Sequence, residues 1–397
     1  MAKTLSSSVD LDQLRGVADE FSPDVTNRLR ELVEIESPSL SVESLNVLRD
    51  NLLERWTSLG LDVDVAPGVG GDHLVAAWGP QASSNRGGRD VGHLCFITHY
   101  DTVWPVGELT RQPFVIDGDR AFGPGCFDMK GGIVAFEIAV QVMQKLGIAP
   151  AQEIRLICIA DEEVSSVDGR RIVVEHAERA RAVLGLEPCH LDGSFKNGRR
   201  GVARVALKVT GRESHAGLDA ALGVSAIDEL VDQLLVLRRT LPIASDAACN
   251  VGELNGGSRA NVVAGAARAE IGLRFESKET EEALFRSLYA LAPVREGATV
   301  ELEVLAHRPA WEPAVDSSLV DHVIDMSEAL GEPASARPAN GAGDTNLTGS
   351  AKIPTLDGLG PRGAGAHAQG EYVELSSIRR RAELIAALIG TSMPGGR

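Results

Sequence analysis

Apolar side chains at Val25, Leu29, Leu32 and Val33 recur at intervals of three and four between Asp24 and Ile35, the mark of a helix with one buried face. The same period runs from Val42 to Leu59 through Leu45, Leu48, Leu52, Leu53 and Trp56, and Gly60 supplies a C-terminal stop. The pattern then shifts to period two. Leu61 to Val65 alternates and His73 to Trp78 reads as a second strand, while Gly79 to Gly92 is polar and rich in Gly, Ser and Arg, a solvated loop. Three short apolar runs follow, Leu94 to Thr98, Ile154 to Ala160 and Ala182 to Leu186, of the kind that strands buried on both faces require. Helical stretches at Gly131 to Leu146 and Ser166 to Arg181 separate them. This β–α–β–α–β alternation predicts an α/β fold, with a mixed, mainly parallel sheet and helices on both faces.

The register changes near Asn197-Gly-Arg-Arg-Gly201. Beyond it, Val202 to Thr210 alternates as a half-exposed strand and Val224 to Arg239 is an amphipathic helix. Strands at Asn250 to Leu254 and Ala266 to Phe275, a helix at Glu279 to Ala290 and a strand at Thr299 to Leu305 complete the set. The β-α-β-β-α-β order predicts an inserted α+β, ferredoxin-like unit. The expected division is a discontinuous catalytic domain over 1–199 and 309–397, with a lid over 200–308.

Candidate chemistry sits where the buried runs end. His99, Glu163 and Glu187 each fall at or just past the C-terminal end of one run, the edge at which open α/β sheets bind ligands. Asp128 lies in the Gly-rich turn Gly123-Pro-Gly-Cys-Phe-Asp128, and His367 ends Gly360-Pro-Arg-Gly-Ala-Gly-Ala-His367. Two neutral imidazoles and three carboxylates suit a pair of divalent cations, with one shared Asp between them. Asp101, two residues past His99 on extended chain, can fix the tautomer of that imidazole. Glu162 is placed to act as a general base on water. Singly, each motif has a plain structural reading. Asp161-Glu162-Glu163 would suit a helix N-terminus, the Gly-rich turn could hold phosphate or merely turn, and Lys130 reads as a surface or helix-start residue. His73, His93, His176, His190, His307 and His322 join no constellation.

A length of 397 residues favours two domains, and a composition of 44% hydrophobic with 24% charged residues is that of a soluble globular protein. The net charge of −17 argues against nucleic acid or an anionic membrane as partner. Five cysteines without close pairs, among them Cys95, Cys126 and Cys158 in apolar or Gly-rich surroundings, read as reduced buried residues. Met1 to Val9 has no apolar core of a secretory signal and no run approaches a membrane span, so a cytoplasmic location is the default expectation.

In combination these motifs resemble the dinuclear zinc exopeptidases and amidohydrolases, a family that includes carboxypeptidase G, aminoacylase and succinyl-diaminopimelate desuccinylase. The resemblance runs from about Leu29 to the C-terminus and is closest to the carboxypeptidase G branch. Val209-Thr-Gly-Arg-Glu-Ser-His-Ala-Gly217, Arg308-Pro-Ala and Leu356-Asp-Gly-Leu-Gly-Pro361 support it. It implies two zinc ions, one on His99 and Glu187, the other on Glu163 and His367, bridged by Asp128, with manganese or cobalt as substitutes. It further implies that Asp101 orients His99, that Glu162 is the general base and later the proton donor, and that the Asp128–Met129 peptide is cis. In the lid, it implies that His215 polarises the scissile carbonyl in the other subunit of a homodimer. Asn261 and Arg274 would hold the substrate's carbonyl and carboxylate. A family pocket loop appears here as Gly341-Ala-Gly343-Asp344-Thr345-Asn346, with the acid one place early, and Ser165-Ser166 stands where Gly-Ser is frequent. The implied reaction is hydrolysis of an amide next to a free carboxylate, releasing a C-terminal amino acid with glutamate as first expectation. The alternatives are an N-acyl-amino-acid amidohydrolase with the same metal chemistry, and a non-catalytic binding protein of the same fold. The expected ligand is a small peptide or N-acyl amino acid.

Overall fold

The computed structural model describes residues 10–80, 92–241 and 246–394, so most of the expected 79–92 loop and the N-terminal nine residues lie outside the described chain. Two compact units are present. One takes its described residues from Met1–Gly198, Pro313–Ala339 and Gly343–Arg397, the other from Arg199–Glu312 and Asn340–Ala342. The short Asn340–Ala342 piece is held in the second unit by Arg199, whose Nη1 donates to the Gly341 carbonyl at 3.0 Å.

In the first unit, helices α1 (Leu11–Glu20), α2 (Ser22–Glu34) and α3 (Val42–Ser58) precede the sheet. Pro23 in the first turn of α2 costs no hydrogen bond, because the first amides of a helix have no internal partner. Strands β1 (Asp62–Ala66), β2 (His73–Trp78), β3 (Leu94–His99), β4 (Ile154–Ile159) and β5 (Ala182–Gly185) form a six-stranded sheet with the short strand Thr355–Leu356. Their order is β1-β2-β4-β3-β5 and then Thr355–Leu356. β1 and β2 pair antiparallel, as do β2 and β4, while β3 runs parallel to β4 and β5. Every residue of β3 and β5 is buried, which is why neither alternates in sequence. Helix α4 (Gly131–Leu146) lies on one face and α5 (Gly169–Ala177) closes the other with Ile172 and Val173 against Ile157 and Ile159.

Helix α4 is apolar around most of its circumference because a second helix, Leu375–Ile389, packs against it. Its Glu137 is fully buried yet fully engaged. Arg28 Nη1 and Trp56 Nε1 donate to it at 3.0 and 3.0 Å, and Arg55 binds it through Nε at 3.0 Å and through Nη2. Removing one partner of such a buried charge cluster costs about 3–5 kcal/mol. Gly132 at the start of α4 has no room for a side chain, since a Cβ there would lie 2.3 Å from the Leu186 carbonyl oxygen.

In the second unit, β6 (Gly201–Thr210), α6 (Ala226–Thr240), β7 (Ala247–Gly256), β8 (Ala266–Phe275), α7 (Lys278–Tyr289) and β9 (Thr299–Arg308) follow the β-α-β-β-α-β order. The antiparallel sheet runs β7-β8-β6-β9. Strand β8 turns Ala267, Ala269, Ile271, Leu273 and Phe275 inward on alternate positions, and Leu230, Leu237, Leu284 and Leu288 from the two helices cover them. Ser225 and Ser277 cap these helices by accepting from the Asp228 and Thr280 amides. One expectation moves. The helix read from Ser166 begins only at Gly169, because Ser165 and Ser166 adopt left-handed φ of 78° and 49° and Asp161 Oδ2 takes the Asp168 and Gly169 amides at 2.9 and 3.4 Å.

Candidate active site and metal centre

His99, the last residue of β3, is 1% exposed and its ring is fixed from behind. Nδ1 lies 3.0 Å from the Asp101 main-chain oxygen, and a carbonyl only accepts, so Nδ1 carries a proton and Nε2 is the atom turned toward the acids. The Asp101 carboxylate, expected to do this orienting, stands slightly farther off at 3.4 Å. It has further partners as well. Oδ1 accepts the Glu162 amide and Oδ2 the Glu163 amide, each at 3.1 Å, and the Ser39 hydroxyl adds a bond to Oδ2 at 2.7 Å. Asp101 thereby holds both the imidazole and the turn after β4.

The five sequence-predicted ligands come together on this edge. His99 Nε2 is 3.4 Å from Asp128 Oδ1 and 3.5 Å from Glu187 Oε1. His367 Nε2 is 3.3 Å from Asp128 Oδ2 and 3.0 Å from Glu163 Oε2. Asp128 therefore turns one oxygen to each imidazole. A tetrahedral ion with bonds of about 2.1 Å separates its ligand atoms by about 3.4 Å, which is the spacing found, so the donor set fits divalent cations. Ligand atoms of His99, Asp128 and Glu163 lie within 4.8 Å of one another, as do those of His99, Glu162 and Glu187. The second group includes Glu162, the predicted base, which is 8% exposed.

The electrostatics show the same demand for positive charge. Burial opposes protonation of His99, but Asp101, Asp128 and Glu162 outweigh it and raise its pKa well above the ordinary value. Hydrogen bonds that His367 donates to Asp128 and Glu163 push its pKa up to about 10. Burial would raise Asp128, yet His367 and His99 hold it far below the usual carboxylate range. Burial raises Glu163. The acids outnumber the imidazoles.

Two neighbours lay outside the sequence reading or against it. Lys130 does stand at the start of α4, but it is buried rather than at the surface, and its Nζ donates to the Ile35 carbonyl at 2.9 Å. Burial lowers its pKa to about 8. Glu371 was not singled out, although its carboxylate accepts the amides of Gly125, Phe127 and Asp128. Only its place four residues after His367 hinted at this. The Asp128–Met129 peptide is cis.

The remaining predicted residues fall in other places. Asp344 is 3% exposed and accepts from Ser166 Oγ at 2.5 Å, while Gly343 donates its amide to Asn346 Oδ1 at 2.9 Å. His215, Asn261, Arg274 and Gly341 belong to the second unit, where all four are exposed. His215 Nδ1 accepts the Gly217 and Leu218 amides, both at 3.1 Å, which leaves the proton on Nε2 as an outward donor. The Asn261 carbonyl takes the Ala216 amide at 2.9 Å and so ties that turn to the His215 loop. Cys95, Cys126, Cys158 and Cys189 are buried and free, and no described helix is long and apolar enough to cross a membrane.

Known proteins resemble this chain in sequence and in fold. Carboxypeptidase G2 of Pseudomonas sp. is 29% identical over 384 residues, covering 94% of this chain and 90% of its own. A succinyl-diaminopimelate desuccinylase of Nitrosospira multiformis is 27% identical over 354 residues, 84% of this chain and 89% of its own. In fold, the aminopeptidase PepT of Bacillus cereus matches with a TM-score of 0.73 at 22% identity, over 93% of this chain and 98% of its own. An M20 family metallo-carboxypeptidase from Sulfolobus solfataricus matches with a TM-score of 0.70 at 16% identity, over 92% and 98%. Residues 95–391, which carry all five predicted ligands, match the peptidase family M20/M25/M40, and the chain belongs to that family of metallopeptidases and amidohydrolases.

Proposed function

We propose that the chain is a two-zinc hydrolase that cuts an amide bond beside a free carboxylate and releases a C-terminal amino acid, with glutamate as the first candidate. The observation that carries this reading is Asp128, whose two oxygens face His99 and His367 separately, each imidazole having its own further carboxylate. Such ions, when bound, polarise a carbonyl oxygen and bring the pKa of water toward 7. Glu162 takes the proton from the attacking water and returns it to the leaving nitrogen. His215, protonated on Nε2, donates to the carbonyl oxygen as charge develops there, and Asn261 supports it. Arg274 presents a planar fork to the substrate carboxylate. In this reading two chains pair and His215 serves the partner's site. The similarity to carboxypeptidase G2 across most of the chain supports the peptidase form.

The test is Glu162→Gln. It should bind both cations with turnover lower by at least about a hundredfold, the usual contribution of general acid–base catalysis. Full turnover in that variant would refute the role. A second reading, removal of an acyl group from an N-acyl amino acid, is favoured by the desuccinylase similarity. Comparing kcat/KM for dipeptides, N-acyl glutamates and N-succinyl amino acids on zinc-loaded protein decides between the two.

A further inference from the structure

Glu371 is 1% exposed, and no step above uses it. Both of its oxygens are filled. Oε1 accepts the Phe127 and Asp128 amides, each at 3.0 Å, and Oε2 accepts the Gly125 amide and the Trp104 indole, each at 2.9 Å. Its own backbone is tied to the same two segments. The Glu371 carbonyl takes the Gly123 amide at 3.3 Å, and its amide donates to Ala368, beside His367, at 3.2 Å. One side chain thus fastens the loop that bears Asp128 to the turn that bears His367. The two ligands so joined stand 3.3 Å apart. His367 adopts a left-handed φ of 61°, unusual for a residue with a Cβ, so that turn depends on outside support.

We propose that Glu371 is a positioning residue for the cation site formed by Asp128, Glu163 and His367, setting the separation of two of its ligands. The proposal rests on the two-cation reading above. It predicts an unequal effect. His99 and Glu187 are fixed from β3 and β5 and by Asp101, none of which Glu371 touches, so their site meets Glu371 only through the shared Asp128 and should weaken less than the site of Glu163 and His367. The chemistry also requires a carboxylate. Four donors converge on two acceptor oxygens, whereas a glutamine offers one oxygen and one NH2 group, which would face two donors with a third.

The experiment titrates metal-stripped full-length protein with Co2+, followed by visible absorption, with bound zinc measured separately after dialysis. Wild type, Glu371→Gln and Trp104→Phe are compared, and circular dichroism of each cation-free protein checks the fold. Wild type should take up two ions. Glu371→Gln should take up one ion with the smaller loss of affinity and the second about 10–100-fold more weakly, the usual cost of losing a group that orients ligands. Trp104→Phe removes one of four bonds and should shift the second ion by no more than about threefold. If Glu371→Gln does not fold, Glu371→Asp, which keeps both acceptors on a shorter arm, should show the same split. Two ions bound by the variant as in wild type, or equal weakening at both sites, overturns the proposal. A wild type that binds no second ion refutes the two-cation reading instead.

Discussion

Replacing Asp101 by Asn is nearly isosteric and tests how the site is assembled. The carboxylate is fully buried and serves four groups: the Glu162 amide and His99 Nδ1 on the Oδ1 side, the Glu163 amide and Ser39 hydroxyl on the Oδ2 side. An amide must put NH2 on one side. Placed at Oδ1 it would meet two N–H donors; placed at Oδ2 it meets only the Glu163 amide, because Ser39 can rotate and accept. The second arrangement wins and strands one backbone N–H. A charge-assisted bond of about 1.5–3 kcal/mol is lost and an unpaired buried donor costs about 1–3 kcal/mol. Partial relaxation brings the net to about 3 kcal/mol. At about 2.1 cal/mol/K of unfolding entropy per residue, a unit of this size should melt about 5 °C lower. Differential scanning calorimetry on metal-stripped protein measures this, and zinc titration should show about 10–100-fold weaker binding. An Asp101→Asn protein with unchanged melting and unchanged zinc affinity would refute the account of Asp101 as the joint between β3 and the Glu162–Glu163 turn.

Other consequences are measurable. His367 is held near a pKa of about 10 and His99 is also raised, so both imidazoles of the cation-free protein are protonated at pH 7. Because these folded values exceed the unfolded one, the stabilisation is complete below about 6.5 and disappears as pH rises through about 10 at His367. Cation uptake must expel those protons, so affinity should climb with pH up to that range; calorimetry in buffers of different ionisation heat should find one to two protons released per chain, and none released contradicts the assignment. Gly132→Ala would place a Cβ 2.3 Å from the Leu186 carbonyl oxygen, a backbone atom one residue before Glu187. It should cost at least about 1–3 kcal/mol and reduce zinc content; wild-type melting would show that the helix slides away freely.

How much could be read from the sequence depended on how local each signal was. Buried strands β3, β4 and β5 were legible because covering both sheet faces forces unbroken apolar runs, and the candidate ligands His99, Glu163 and Glu187 were legible as acids and an imidazole at or just past their ends. Asp161, by contrast, looked like one of three acids before a helix, and its use as the cap that delays α5 to Gly169 needed the left-handed turn at Ser165 and Ser166. A Ser at φ of 78° stands where the family's Gly would be unstrained, so the departure seen in sequence has a backbone counterpart. Lys130 could not be placed from pattern alone, since its burial depends on Ile35, nearly a hundred residues earlier. Glu371 is harder still, because its partners Gly125, Phe127 and Asp128 lie about 250 residues away. The helix Leu375–Ile389 was not read at all, although it covers α4 and so allows that helix to be apolar on nearly every side.

The same distinction explains why the ligands carry meaning together and little singly. Asp128, Glu163, Glu187 and Glu162 converge on His99 and His367 in a pocket where several of these groups are nearly buried. Crowding carboxylates out of water is expensive unless positive charge meets them. Lys130 and the arginines that neutralise Glu137 are engaged elsewhere, with the Ile35 carbonyl and with Glu137 itself. Within the described ligand set, then, only imidazolium protons or bound cations balance the acids, and the raised pKa values of His99 and His367 are the proton version of that balance. An isolated strand-end acid has no such constraint. A site with more acids than bases is one that divalent cations would balance, and that reading follows from the set of residues rather than from any one motif.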